Sequence, residues 1–253
     1  MEVLNLNLGN DNIFNETWGK NHLLKTICED ENSKVLITGD THGDGFKRIK
    51  DAKTLGGSIL IICGDFGYVW NNIKTNDYNL NIINDIGIKV LFLDGNHEDF
   101  DLLEKYPKDM MFGGEVQILR ENIIHLLRGE IYTINNKRIF IIGGANSTDK
   151  EYRVLGESFW KQEVPNLIER DRAIQNLEME NNKVDIILTH TPPSSILKLM
   201  NKEYRIDEYT DFLEYIKKTT SYRHWYFGHI HENKKVDKKH TCVYTNFVDF
   251  HSI

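Results

Sequence analysis

The chain is short of several things, and each shortage excludes a class. Its 253 residues include only 3 cysteines and 4 prolines. Cys28, Cys63 and Cys242 stand far apart and form no CxxC pair. They build neither a disulfide scaffold nor a thiolate metal site, and an odd number of thiols fits a reducing compartment. So few prolines, beside 18 glycines, argue against a long disordered linker. No long apolar run is present, and stretches such as residues 59–63 (ILIIC) are far too short to cross a bilayer. The opening residues, MEVLN, lack the basic segment and apolar core of a secretion signal. Positive charge is in deficit: Lys and Arg total 31 against 38 Asp and Glu, a net charge of −7. An acidic chain does not track duplex DNA by bulk electrostatics. The expectation is a cytoplasmic protein with no membrane partner. The remainder, 40% hydrophobic and 27% charged, is ordinary globular composition, and the length suits one large domain.

Short apolar runs at 34–38 (KVLIT), 59–63 (ILIIC) and 89–93 (KVLFL) alternate with helical patterns near 44–55 and 76–86. That alternation predicts βαβ units and a sheet covered on both faces. Asp44 is the expected cap of the first helix, with Phe46, Ile49 and Ala52 inward. Residues 130–134 and 138–142 flank Asn135-Asn136-Lys137, a hairpin signal. Further strands are expected at 185–189, 223–227 and 242–250. Asn166, with Glu169 three residues on, marks a helix start, with Leu167, Ile174 and Leu177 as its buried face. Tyr209, Phe212, Leu213 and Ile216 form an amphipathic stripe near 207–218. Residues 1–33, with a helical pattern around Leu23, Leu24 and Ile27, read as an N-terminal extension packed on a core domain spanning 34–253.

The informative feature is the turn after each apolar strand. The first strand ends in Gly39-Asp40-Thr41-His42-Gly43, the second in Gly64-Asp65, the third in Asp94-Gly95-Asn96-His97-Glu98. The strands at 185–188 and 223–227 end in Thr189-His190-Thr191 and Gly228-His229-Ile230-His231. In α/β sheets the ligand site lies at the carboxyl ends of the strands. Carboxylate, imidazole and amide oxygen together suit Mn, Fe, Co, Ni or Zn, and contain too much His for a dedicated Mg or Ca cage. Seven such side chains exceed the needs of one ion. Two ions, about 3.5–4 Å apart, are the natural reading, with Asp65 as the bridging carboxylate.

DxH, GD, GNHE, a later lone His and GHxH, in this order over residues 34–232, resemble the calcineurin-like metallophosphoesterase superfamily. The resemblance implies two packed mixed β-sheets flanked by α-helices, an α/β fold of four αββα layers with the site at one rim. It implies one ion on Asp40, His42, Asp65 and His231 and a second on Asp65, Asn96, His190 and His229. Mn is the expected metal, with Fe, Zn, Ni or Co as alternatives. His97 is implied as the non-ligand acid that protonates the leaving oxygen. The implied reaction is hydrolysis of a phosphate mono- or diester by metal-bound hydroxide. A nuclease of the same superfamily is the alternative enzyme, and a scaffold that has lost catalysis is the alternative outside enzymes.

The chain departs from the serine/threonine phosphatases of this superfamily. Their Asp and Arg after the second motif are replaced here by Tyr68 and Val69. The partner that orients His97 therefore stays open among Asp94, Glu98 and Asp99. Gly143-Gly144-Ala145-Asn146-Ser147-x-Asp149-Lys150-x-x-Arg153, followed by Ser158-Phe159-Trp160 and Glu163, resembles a bacterial and phage branch. A Gly-Gly turn leaves backbone N–H groups open, and Arg153 either contacts phosphate or pairs with Asp149. Tyr68, Trp70 and Trp160 line a cleft or belong to the core. His22, His125, His224, His240 and His251 are expected to be structural. Lys234, Lys235, Lys238 and Lys239 read as a solvated hairpin before a nucleic-acid contact.

Overall fold

The computed structural model describes residues 33–70 and 73–250. The expected N-terminal helix and its packing on the core lie outside the described residues, as do Cys28, His22 and His251.

The three apolar runs form β1 (Val35–Thr38), β2 (Ile59–Cys63) and β3 (Lys89–Leu93), paired in parallel. They are apolar throughout because both faces are covered. On one side α1 (Phe46–Thr54) and α2 (Ile73–Ile86) press Ile49, Ala52, Leu80 and Ile83 against Leu36, Leu60 and Ile62. Asp44 does not cap α1. Gly45 is the cap residue, and its N–H donates to the Tyr68 hydroxyl at 2.5 Å.

After the one-turn helix α3 (Phe100–Leu103), the first sheet continues through β4 (Lys108–Met111), β5 (Gly114–Arg120) and β6 (Ile123–Leu126). The sequence reading missed these strands. β4 is an edge strand with a largely exposed pattern, and β5 mixes buried with half-exposed positions, so neither shows a continuous apolar run. β6 runs parallel to β3, whereas β5 and β4 are antiparallel to their neighbours. A hairpin then opens the second sheet, with β7 (Ile131–Ile134) and β8 (Lys137–Ile142). Its loop is two residues, not three: Asn135 and Asn136 both hold positive φ, 48° and 57°, the conformation that matches strand twist.

Parallel strands β9 (Ile186–Thr189) and β10 (His224–Phe227) build on β8, and helices α4 (Leu167–Met179), α5 (Ser194–Met200) and α6 (Glu208–Thr219) cover their outer face. Asn166 caps α4 through a full capping box with Glu169, which sets the helix phase. Ala173 and Leu177 are the buried residues; Ile174 is half-buried and Leu167 is 72% exposed on the first turn, contrary to expectation. The stripe on α6 is buried as expected at Tyr209, Leu213 and Ile216, with Phe212 partly covered.

The expected strand at 242–250 is split between the sheets. β11 (Lys234–Lys235) and β12 (His240–Cys242) extend the second sheet, while β13 (Val248–Asp249) pairs with β1 in the first. The chain crosses between sheets at the Tyr244 carbonyl, which accepts from the Gly39 N–H, the Thr38 hydroxyl and Arg48. Two mixed sheets result, ordered β13-β1-β2-β3-β6-β5-β4 and β11-β12-β10-β9-β8-β7. Their inner faces meet in a core that includes Ile37, Ile61, Leu91, Ile141 and Leu188. Helices on both outer faces complete four layers. Lys234, Lys235, Lys238 and Lys239 are exposed on the β11–β12 hairpin, as expected. Among the described residues no helix is long and apolar enough to cross a membrane.

Candidate metal centre

The carboxyl ends of β1, β2, β3, β9 and β10 converge, and the turns after them carry the predicted ligands. These turns are strained. Nine described non-glycine residues have positive φ, and four of them are His42, Asp65, His229 and His231. Positive φ is uncommon outside glycine, and backbone strain of this kind concentrates at functional sites. Space is also taken up to the limit. A Cβ on Gly64 would run into the His190 ring, and one on Gly95 into the Asp65 carboxylate.

One donor from each of Asp40, His42, Asp65 and His231 lies within 4.8 Å of the others. His231 Nε2 is 2.9 Å from Asp40 Oδ2 and 2.9 Å from His42 Nε2, and His42 Nε2 is 3.6 Å from Asp65 Oδ2. Asp40 and Asp65 are each 1% exposed. Among the described residues neither pairs with a Lys or Arg. Burial alone would raise the Asp65 pKa; His190, His97 and His42 outweigh it and hold the carboxyl far below its ordinary range.

On the other side of Asp65, His190 Nδ1 donates to the Cys63 carbonyl at 2.9 Å. Its Nε2 faces Asn96 Oδ1 at 3.1 Å and Asp65 Oδ2 at 3.3 Å. The Asn96 amide is oriented by Ser147, whose Oγ accepts from Nδ2 at 2.9 Å. A neutral His190 therefore aims a lone pair at two acceptor oxygens. In the chain alone a proton resolves the conflict. Burial opposes charge on His190, but Asp65 and Asp40 outweigh it and carry its pKa up to about 10. A divalent cation in that place satisfies the same three atoms without the proton, so the donor set fits a metal. His229 donates its backbone N–H to both Asp40 oxygens, at 3.1 and 3.0 Å, and its ring lies 4.9 Å from that of His190. Burial, then His190, pushes its pKa down to about 4, which leaves the imidazole neutral.

All seven predicted ligands and His97 thus gather in one place. The His97 backbone N–H donates to Asp65 Oδ1 at 2.8 Å, and its ring centroid is 5.2 Å from that of His42. Its pKa is lowered by burial first, with Asp65 opposing and Arg153 adding to the depression. None of the three candidate orienting carboxylates reaches the His97 ring. Asp94 is held by Arg128 and His125. Glu98, fully buried, accepts from the Phe66 and Gly67 N–H groups at 2.7 and 3.2 Å and so fixes the turn after Asp65. Asp99 caps α3.

What meets the His97 ring is Arg153, with NH1 3.2 Å from Nδ1 and NH2 3.3 Å from Nε2. Arg153 is also tied to Asp149 through Nε at 2.9 Å and NH2 at 2.8 Å. The ion pair with Asp149 is therefore present, and it stands at the site. The Gly-Gly turn is not open as expected: the Gly144 N–H donates to the Asp94 carbonyl and that of Ala145 to the Glu163 carbonyl, because the strand end must close over β3 and the 160–163 segment. Trp70 and the otherwise buried Tyr68 line a cleft beside His97, whereas Trp160 belongs to the core. His125, His224 and His240 are engaged by Gln117 and Asp94, by Thr241, and by Asp237 and Tyr222, all structural roles. Sequence reasoning missed Tyr244, whose ring stacks on His231 at 4.7 Å and 10°; a lone aromatic beyond the last motif carries no signal.

A profile of the calcineurin-like phosphoesterase family matches residues 33–233. The chain belongs to that family. The match covers each strand that delivers a predicted ligand; the family generally binds divalent metal ions, and Asp40, His42, Asp65 and His231 form a cluster that could hold one. Among solved structures, TT1561 of Thermus thermophilus is similar, with 13% identity, coverage of 84% of this chain and 88% of that chain, and a TM-score of 0.48. No curated protein matches the chain.

Proposed function

We propose that this metal-dependent phosphoesterase is binuclear. Asp40, His42, Asp65 and His231 would hold one ion, and Asp65, Asn96, His190 and His229 the other, with Asp65 shared. Mn is the expected metal. The observation that carries the reading is the pair of buried carboxylates, Asp40 and Asp65, that no Lys or Arg among the described residues neutralises, facing imidazoles with converging nitrogens. When bound, the ions lower the pKa of water toward neutrality and offset phosphate charge.

The remaining work falls to the chain. Asp65 fixes the spacing of the two halves of the site and, through its contact with the His97 backbone, ties the acid to it. His97 supplies the proton that the leaving oxygen takes as the P–O bond breaks. Arg153, in contact with both ring nitrogens of His97 and tethered by Asp149, holds the ring in one orientation. Ser147 keeps the Asn96 carbonyl oxygen turned inward. The test is Mn²⁺-dependent release of p-nitrophenol from p-nitrophenyl phosphate or its bis ester, beside Asp65→Asn. The reading expects turnover that the substitution abolishes while the far-ultraviolet circular dichroism is unchanged. Turnover that survives Asp65→Asn contradicts it.

A further inference from the structure

We propose that the substrate is a phosphodiester, with an uncharged ring-bearing leaving group seated against Trp70 and a second substituent in a separate groove beside His229. This deepens the reading above and rests on it.

Two depressions open on the centre. One, of about 490 Å³, is bordered by His42 and His97 and runs to Trp70, Thr75 and Asn79. The other, of about 680 Å³, is bordered by His229 and Ser147 and runs to Tyr204 and Arg205. They share no lining residue. A phosphate monoester has one organic substituent and fills one such groove. A diester has two, and the site offers a place for each.

Charge points the same way. A monoester is close to a dianion at neutral pH, and sites that grip one add unpaired guanidinium groups to the metals. Here Arg153 is already matched by Asp149. Arg48 spends its NH1 on the carbonyls of Gly39, Asp40 and Tyr244, at 2.8, 2.9 and 2.9 Å. Tyr68 and Val69, standing where the relatives carry Asp and Arg, are buried. Among the described residues no Lys or Arg lines the cleft beside His97. On the His97 side the metals would act without a further unpaired cation among the described residues, which matches a monoanionic diester, and Arg205, without an ion pair among them, lines the other groove, where the second substituent would sit.

The cleft at His97 is built for a ring. Asn76 fixes the Trp70 main chain from both sides: its Oδ1 accepts from the Trp70 N–H at 3.1 Å and its Nδ2 donates to the Trp70 carbonyl. The indole then packs edge-on against buried Trp160, at 5.4 Å and 78°. A fixed aromatic wall with the Asn79 amide and Thr75 hydroxyl at its margin stacks a planar group and meets its polar edge. In the reaction the water oxygen bonds to phosphorus and the P–O bond to the group in this cleft breaks. The departing oxygen keeps the bonding pair and takes the His97 proton; one of the water's two protons restores His97 and the other passes to the monoester product or to solvent. A monoester stays behind on the His229 side.

The test uses the Mn²⁺-loaded full chain with bis-p-nitrophenyl phosphate and p-nitrophenyl phosphate, which share a leaving group. The diester should be preferred in kcat/KM by about tenfold or more. Trp70→Ala should lower kcat/KM for both esters about tenfold, in line with one lost stacking contact, and Trp70→Phe should restore most of it. Arg205→Ala, at an exposed position with no ion pair among the described residues, should lower the diester value alone; metal content should match wild type in all three. Thymidine should quench the indole emission of the wild-type protein and not of Trp70→Ala. Equal or better turnover of the monoester, dependent on metal and lost in Asp65→Asn, overturns the diester assignment and leaves the phosphoesterase reading standing. An equal effect of Arg205→Ala on both esters, or no quenching, overturns the placement of the two groups. Hydrolysis of neither ester by metal-loaded protein overturns both readings.

Discussion

Two clusters of buried carboxylate and histidine lie at the same rim, and they end differently. Asp94, at the end of β3, is 1% exposed, as are Asp40 and Asp65. It meets Arg128 through Nε at 2.8 Å and NH2 at 2.5 Å, and His125 at 3.2 Å, while His125 leans on Gln117. Arg128 goes on to Glu169 and the Gln162 carbonyl. Burial raises the Asp94 pKa, but Arg128 and His125 outweigh it and bring it down to about 2. Every charge there is answered by the chain. At Asp40 and Asp65 the described residues supply imidazoles and no Lys or Arg. Burying a carboxylate without a partner is costly, so a sequence that does so twice within one pocket leaves the positive charge to a ligand. The difference separates a structural network from a metal centre although both contain the same residue types.

The comparison breaks most readily at Asp65. Asp65→Asn should remove both ions and reduce turnover by several orders of magnitude, with the metal-free protein still folded but less stable in thermal unfolding than metal-free wild type, since His190 and the other imidazoles lose the carboxylate they face. Activity and metal content, measured together, check this. His97→Ala should leave the metal count unchanged and lower kcat by about 10²–10⁴-fold; loss of metal would make His97 a ligand instead. The reciprocal change is Arg128→Met. It strands Asp94 in the interior and should cost about 3–5 kcal/mol of stability in chemical denaturation, while the metal count per folded chain stays the same.

The same pair gives a pH signature. The Asp94 pKa lies at about 2 in the folded chain against an ordinary 3.8. Its contribution, about 2 kcal/mol, is present above the ordinary value and is lost as pH falls toward the folded one. The wild-type advantage over Asp94→Asn should therefore shrink between about pH 4 and pH 2, as read from denaturation midpoints. The smallest expected effect is that of Ser147→Ala. Asn96 then loses the acceptor that fixes its amide, and Mn²⁺ affinity should fall about 10-fold or more, with stability changed little.

The convergence of these side chains was legible in the sequence because each comes just after an apolar strand. Strand direction, read from continuous burial, sends all of those turns to one rim. The parallel strands and the Asn166 cap were legible for the same local reasons. The antiparallel β4–β6 extension was not, because edge and half-covered strands dilute the apolar run. Neither was the split of residues 242–250, where one extended stretch serves two sheets and only the three-dimensional closure decides where it turns. The roles of Glu98 and Asp94 were hidden by their neighbourhood: both sit beside His97 in sequence, yet strand alternation and the turn after β3 send their side chains to the Phe66 turn and to Arg128. Arg153, 56 residues from His97, reaches it by a loop that no periodicity describes.

The most direct test is the number of divalent ions bound per chain after Mn²⁺ loading and exhaustive dialysis, in wild type, Asp65→Asn and Arg128→Met. Two ions per wild-type chain, few or none in Asp65→Asn and two per folded chain in Arg128→Met are predicted. A folded wild-type chain that holds no metal, or an Asp65→Asn protein that keeps both ions, would contradict the claim that the unpaired carboxylates are the metal centre.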